Sequence, residues 1–153
     1  MVWKPNVTVA AIVEQAGRFL LVEERVRECL VLNQPAGHLE RGESLEQAVI
    51  RETLEETAYT FSPAGLVGVY RWPHPERDLT YLRFAFYGSV EGPDPERSLD
   101  DGIVQTLWLS PDELAAQAHR HRSPQVSLSI HHYLQGQRFP LAFLHDVIDP
   151  GSP

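Results

Sequence analysis

The stretch that most constrains this chain is LEQAVIRETLEET at residues 45–57, which contains good helix formers and neither glycine nor proline. Ser44 with Gln47 three positions on forms a capping-box pattern, so the sequence predicts a helix that starts after Ser44. At about 100° per residue, Glu52, Glu55 and Glu56 lie within about 100° of one another and share one face. Leu45, Ala48 and Val49 occupy the same side in the earlier turns, whereas Ile50 and Leu54 lie opposite. A helix that is apolar on two sides has to be packed between other elements, with its glutamates emerging at the C-terminal end near a wall of the protein.

The elements to pack against it are legible on either side. Apolar runs at Val7–Val13 and Arg18–Glu23, joined by Gln15-Ala16-Gly17, predict a two-stranded hairpin. Val31-Leu32 ends a third strand, and Asn33-Gln34-Pro35-Ala36-Gly37 reads as a loop. Further strands are predicted near 64–71, at 79–90 (LTYLRFAFYGSV) and at 103–109 (IVQTLWL), with an acidic loop, GPDPERSLDDG, between the last two. Ser110-Pro111-Asp112-Glu113 starts a short helix that runs to about Ala118. Ser123-Pro124 opens another, in which Val126, Ile130, Tyr133 and Leu134 keep helical spacing up to Gly136. This order gives an α+β fold, a mixed sheet covered by helices, and 153 residues suit a single domain spanning 1–153 with a loose tail after about residue 149.

Three carboxylates on one helical face at its C-terminal end repel one another and the helix dipole, by roughly 0.2–0.5 kcal/mol per pair. A hard divalent cation converts that repulsion into binding, because Mg2+ or Mn2+ prefers oxygen ligands. A solvated acidic face with an Arg51–Glu55 surface pair is the plain alternative. The net charge of -8 excludes a broad basic surface for a polynucleotide, and an acidic protein handling a small anionic substrate needs a local device such as a bound cation. Cys29 is alone, which excludes an internal disulfide and fits a reducing compartment. The N-terminal MVWKPNVTVAAIV shows no cleavage pattern or membrane-length apolar run and is read as a strand of a cytoplasmic protein with no membrane partner.

Context decides between the readings of the glutamates. Gly37, Glu43, Arg51, Glu52, Glu55 and Glu56 stand at the spacing G-x5-E-x7-R-E-U-x-E-E-x-G-U, U being a bulky aliphatic residue, and so residues 37–59 resemble the Nudix hydrolases. Thr53, Ala58 and Tyr59 depart from that pattern; Ala58 is expected to close the helix without a positive φ. The resemblance implies an α/β/α sandwich with Glu52, Glu55 and Glu56 as Mg2+ ligands, joined by the Gly37 carbonyl. It further implies that Arg51 and Glu43 brace the helix by an ion pair, and that substrates are nucleoside diphosphates linked to another moiety or related di- and triphosphates. Stretches spanning about residues 4–142, among them LNQPAGHLE and RSPQVSLSIHHYLQGQRFPL, resemble the NudJ-type phosphatases, a branch of that family.

Hydrolysis of a phosphoanhydride needs charge neutralisation, an in-line water and a base, for which Glu55 is the first candidate and Glu52 the second. Asp100 or Asp101 is positioned to add a distal ligand or base, His38 to touch a phosphate, and Trp72 and Arg83 to stack on or pair with substrate; a solvated turn, a core aromatic and a surface charge are the plain alternatives for the aspartates, Trp72 and Arg83. The seven histidines form no zinc pattern. The branch resemblance implies orthophosphate release from nucleoside tri- and diphosphates and from the diphosphate of the thiamine pyrimidine, with few specific contacts to the rest of the substrate and weak discrimination between bases. The alternatives are a Nudix pyrophosphohydrolase that yields a nucleoside monophosphate, and a nucleotide-binding module without turnover.

Overall fold

The structure, a computed structural model, describes residues 2–151; Met1 and, of the tail after Asp149, Ser152 and Pro153 lie outside the described residues. Eight strands and three α-helices follow in the order β1 (Asn6–Gln15), β2 (Arg18–Val26), β3 (Cys29–Asn33), β4 (Ala36–His38), α1 (Leu45–Thr57), β5 (Thr60–Pro73), β6 (Thr80–Glu91), β7 (Ile103–Leu109), α2 (Pro111–Ala115), α3 (Gln125–Leu134) and β8 (Phe139–Pro140). No described helix is long and apolar enough to cross a membrane.

The sheet is mixed. β1 and β6 run parallel from Asn6↔Tyr81 to Val13↔Gly88, and the other pairings are antiparallel, in the order β3-β2-β1-β6-β5-β8 with β4 on β1 and β7 on β2. β1 is buried along most of its length, and its alternate side chains serve both layers. Val9, Ala11 and Val13 pack with Ala48 and Val49 of α1 and with Phe61, Leu66 and Phe86. Ile12, on the opposite face, packs with Val67, Tyr70 and Ala85 against Val126 and Ile130 of α3. The result is the α/β/α layering expected from a helix packed against a sheet with a second apolar helix available for the other face.

Local chemistry sets the boundaries. Ala16 and Gly17, at φ of 50° and 77°, make the left-handed two-residue turn that suits the twist of the β1–β2 hairpin. Ser44 accepts from the Gln47 amide and Gln47 answers on the Ser44 amide, which completes the capping box of α1. At the other end Ala58 has φ 63° and ψ 8°, so the expectation of a closing residue without positive φ is corrected: the cap is left-handed even though its residue carries a Cβ. The two apolar sides expected of this helix are not equally covered. Its buried face is Ala48, Val49, Thr53, Glu56 and Thr57, while Ile50 and Leu54 are only half-buried. α2 is shorter than predicted and ends at Ala115, followed by a separate 3-10 turn over Ala118–Arg120.

Candidate active site

Strand β4 joins two halves of the candidate site. On one side stands the C-terminal half of α1, and on the other a cleft over the α3 face of the sheet. Gly37, in the middle of β4, permits the first contact: a Cβ there would overlap the Glu52 carboxyl. Next to it the Ala36 amide donates to Glu56 Oε1 at 2.8 Å. From the loop after β6, the Asp100 amide donates to the Glu55 carbonyl and the Asp94 amide to the Ala58 carbonyl, both at 2.9 Å.

Glu52, Glu55 and Asp100 thereby come together, with one carboxylate oxygen from each within 4.8 Å of the others. Asp101 takes no part in this group, and Glu56 lies behind it, in the buried face of the helix. Burial pushes Glu56 up to about 8, against the pull of the Ala36 amide, with the charges of Glu24, Glu52 and Asp100 adding to the effect. Burial also raises Glu52, although Arg51 opposes it. Carboxylates that resist ionisation because of burial and like charge fit a divalent cation, whose charge relieves both.

Arg51 organises this end of the helix. Its Nε and Nη2 donate to the two oxygens of Glu43, at 3.0 and 2.7 Å. Nη2 also donates to the His38 carbonyl at 3.0 Å, and Nη1 donates to Glu52 Oε1 at 2.9 Å and Glu55 Oε2 at 3.2 Å. Each N–H of the guanidinium therefore has a partner. The same bond to Arg51 holds Glu43 below the usual carboxylate range.

The cleft has a volume of about 710 Å3 and is bordered by Gly37 and His38 at the end nearest the glutamates. Trp72 and Tyr81, opposite one another on β5 and β6, stack with ring centroids 5.7 Å apart and 23° between planes. His74 lies against Trp72 at 5.2 Å and His38 against Tyr81 at 6.5 Å, so a row of rings leads away from the carboxylates. Arg27, Arg77, Arg83 and Arg122 line the cleft against Glu24 and Glu76, a local cationic excess within a chain of net charge -8. Arg122 is paired with Glu24. Of the candidate substrate contacts, His38, Trp72 and Arg83 thus share one cleft, whereas Asp100 belongs to the carboxylate group and Asp101 to neither.

Arg83 is not the surface charge of the plain reading. It is 5% exposed, and its Nη1 and Nη2 donate to Gln34 Oε1 and Asn33 Oδ1 at 3.0 and 3.1 Å. Its partners are neutral amides, and burial pulls its guanidinium down to about 10. Asn33, Gln34, Tyr81 and Gln125 are cleft or cleft-supporting residues that the sequence reading did not single out. Tyr81 had a usable signal, since it alternates with Arg83 on one strand and so faces the same way. Asn33 and Gln34 read as turn-formers before Pro35, and nothing local distinguishes Gln125.

A family model for the NUDIX domain matches residues 3–129. The phosphatase NudJ of Escherichia coli strain K12 is 40% identical over 144 residues, covering 94% of this chain and 93% of that protein. A NUDIX hydrolase of known structure from Nitrosomonas europaea is 51% identical, with a TM-score of 0.92 and coverage of 94% of this chain and 98% of that one. The MutT NUDIX hydrolase from Burkholderia pseudomallei, 21% identical, shares the fold at a TM-score of 0.72 over 85% of this chain and 98% of that one.

Proposed function

Because the chain belongs to the Nudix hydrolase family, we propose that it is a Mg2+-dependent phosphatase of small phosphorylated metabolites, releasing orthophosphate from nucleoside tri- and diphosphates and from the diphosphate of the thiamine pyrimidine. The observation that supports this best is the convergence of Glu52, Glu55 and Asp100 beside a cleft wide enough for a nucleotide. The choice of a phosphatase follows the 40% identity to phosphatase NudJ across nearly all of both chains.

Glu52, Glu55 and Asp100 would hold the cation, Mg2+ or in its place Mn2+, with Glu56 and the Gly37 carbonyl beside them; bound there, it would neutralise phosphate charge and acidify water. Glu55 accepts the proton of the attacking water at Oε1, the oxygen that Arg51 leaves free. Glu52 is the second candidate for that role. Arg51 and Glu43 fix the helix and the β4 loop in register, and His38 and the cleft arginines receive the anionic part of the substrate. The full carboxylate set favours turnover over a binding module.

Hydrolysis of a nucleoside triphosphate in 18O-labelled water tests both the reaction and the bond. Label in orthophosphate, with the diphosphate as an intermediate, is expected. Pyrophosphate and a nucleoside monophosphate as the only first products would return the chain to the pyrophosphohydrolases. Glu52→Gln and Glu56→Gln are each expected to lower turnover by about 100-fold or more with the fold retained. Near-normal activity in the double variant would end the carboxylate-site reading.

A further inference from the structure

Of the arginines that line the cleft, Arg122 combines a fixed base with an open head. Its amide donates to the Leu32 carbonyl at 2.8 Å, and His121 forms a parallel bridge with Leu32, which staples this stretch to β3. The Arg122 side chain is 43% exposed, and among the described residues its one partner is Glu24, which accepts from Nη1. Nε and Nη2 have no protein partner, in contrast to Arg51, whose fork is fully used. Glu24 stands on β2 opposite Val31, two residues from Asn33 on β3, so all three share the face that borders the cleft. It also acts on the carboxylate helix: beyond the burial that raises Glu56, the charge of Glu24 adds more than that of Glu52 or Asp100. Burial likewise lowers Arg83, and of the charges around it Arg122 adds most to that fall. The Glu24–Arg122 pair therefore lies within electrostatic reach of both the carboxylates and the buried arginine.

We propose that Glu24 is an internal competitor of phosphate at Arg122: in the empty cleft its carboxylate holds the guanidinium, and a phosphate group of the substrate, or the orthophosphate that hydrolysis releases, displaces it. A carboxylate and a phosphate accept from the same planar fork, so the two ligands exclude one another at the donor they share. The inference rests on the reading of this cleft as the place of the anionic part of the substrate, and it assigns the contact to one arginine. Arg83 is excluded because its Nη atoms are committed to Gln34 and Asn33. Arg27 and Arg77 stand in the exposed turns between β2 and β3 and between β5 and β6. A partly exposed ion pair changes an equilibrium by about fivefold at most, whereas a phosphate brings nearly two charges and three acceptor oxygens. Phosphate therefore displaces Glu24, and Glu24 in turn weakens the hold on phosphate and favours its release.

Titration of the intact protein with orthophosphate in a calorimeter, at a fixed Mg2+ concentration, provides the test. Orthophosphate contains no anhydride, so the result stands whether or not the carboxylates catalyse hydrolysis. Arg122→Gln is expected to weaken binding by about tenfold, and Glu24→Gln to tighten it by about fivefold. In the Arg122→Gln background, Glu24→Gln should add a gain of less than about twofold, because no guanidinium remains to be freed. Each variant is checked for folding by its thermal transition. Glu24→Asp, which keeps the charge but is one methylene shorter, is expected to give a smaller gain and carries the same comparison if Glu24→Gln does not fold. An equal gain in both backgrounds would reduce Glu24 to general charge repulsion and overturn the proposal. Unchanged or weaker binding on substitution of Glu24, undiminished binding in Arg122→Gln, or no measurable binding to the parent protein would overturn it as well.

Discussion

Arg51 spends every N–H of its guanidinium on the candidate site, and the distribution of those bonds defines its role. Two go to Glu43 in the side-on fork, one to the His38 carbonyl, and one each to Glu52 and Glu55. The residue so connects the loop after β4 to the helix face, and it orients two carboxylates without consuming all of their oxygens. Lysine retains the charge at this position but offers three donors from a single point and no planar fork. Arg51→Lys is therefore expected to lower kcat/KM by about tenfold or more and to weaken Mg2+ binding, nearly as much as Arg51→Ala does. Steady-state kinetics with a parallel metal titration measures both; full activity and metal affinity in the lysine variant would show that charge alone suffices.

At the scale of elements, α1 combines a good start with a strained finish. Its N-terminus is satisfied reciprocally by Ser44 and Gln47, whereas its C-terminus places Ala58 at φ 63°. An L-residue in that region costs about 1–2 kcal/mol, part of which glycine gives back through the entropy of the unfolded chain. Ala58→Gly is expected to stabilise the protein by about 0.5–1 kcal/mol, read as a higher urea midpoint at unchanged slope. The boundaries of α1 were legible because its caps are local, and β7 because its residues form one uninterrupted strand-forming run. β4 was not, since Asn33-Gln34-Pro35-Ala36-Gly37 has turn composition, and only Ala36 and Gly37 of it join His38 in a strand, through pairing with β1. β5 extends from Thr60 to Pro73 for a similar reason: β6 pairs along it and absorbs Pro63 and two glycines at register shifts. The shared face of the glutamates was readable from helical spacing, whereas Arg51 and Glu43 entered through the resemblance of residues 37–59 to the Nudix motif. The choice between Asp100 and Asp101, and the bonds of Arg83 to Asn33 and Gln34, depended on contacts between elements distant in sequence.

For the whole molecule, the candidate site makes stability depend on pH in two separate windows. Glu43, bonded to Arg51 in the candidate site, and Glu23, bonded to Arg120 outside it, are held below the ordinary carboxylate value. The stability they contribute is present above that value and is lost as pH falls through their folded pKa. Glu56 has the opposite sign, because burial raises it to about 8 from 4.5. The folded protein retains a proton that the unfolded chain has released, so this contribution is fully present below about pH 4.5 and is lost as pH rises toward about 8. A loss on the order of a few kcal/mol follows for the metal-free protein, less whatever relaxation admits of water. A bound divalent cation reverses the preference, since it favours the carboxylate form and displaces the proton. In the presence of a chelator, the melting temperature is thus expected to fall between about pH 5 and about pH 8, and millimolar Mg2+ should stabilise the protein most at the alkaline end. Glu56→Gln keeps an acceptor for the Ala36 amide and removes the titration, so its melting temperature in chelator should hardly change over this range. Two equal profiles for the parent and Glu56→Gln would show that another group sets the alkaline limb, and that the cation site draws little on the buried glutamate.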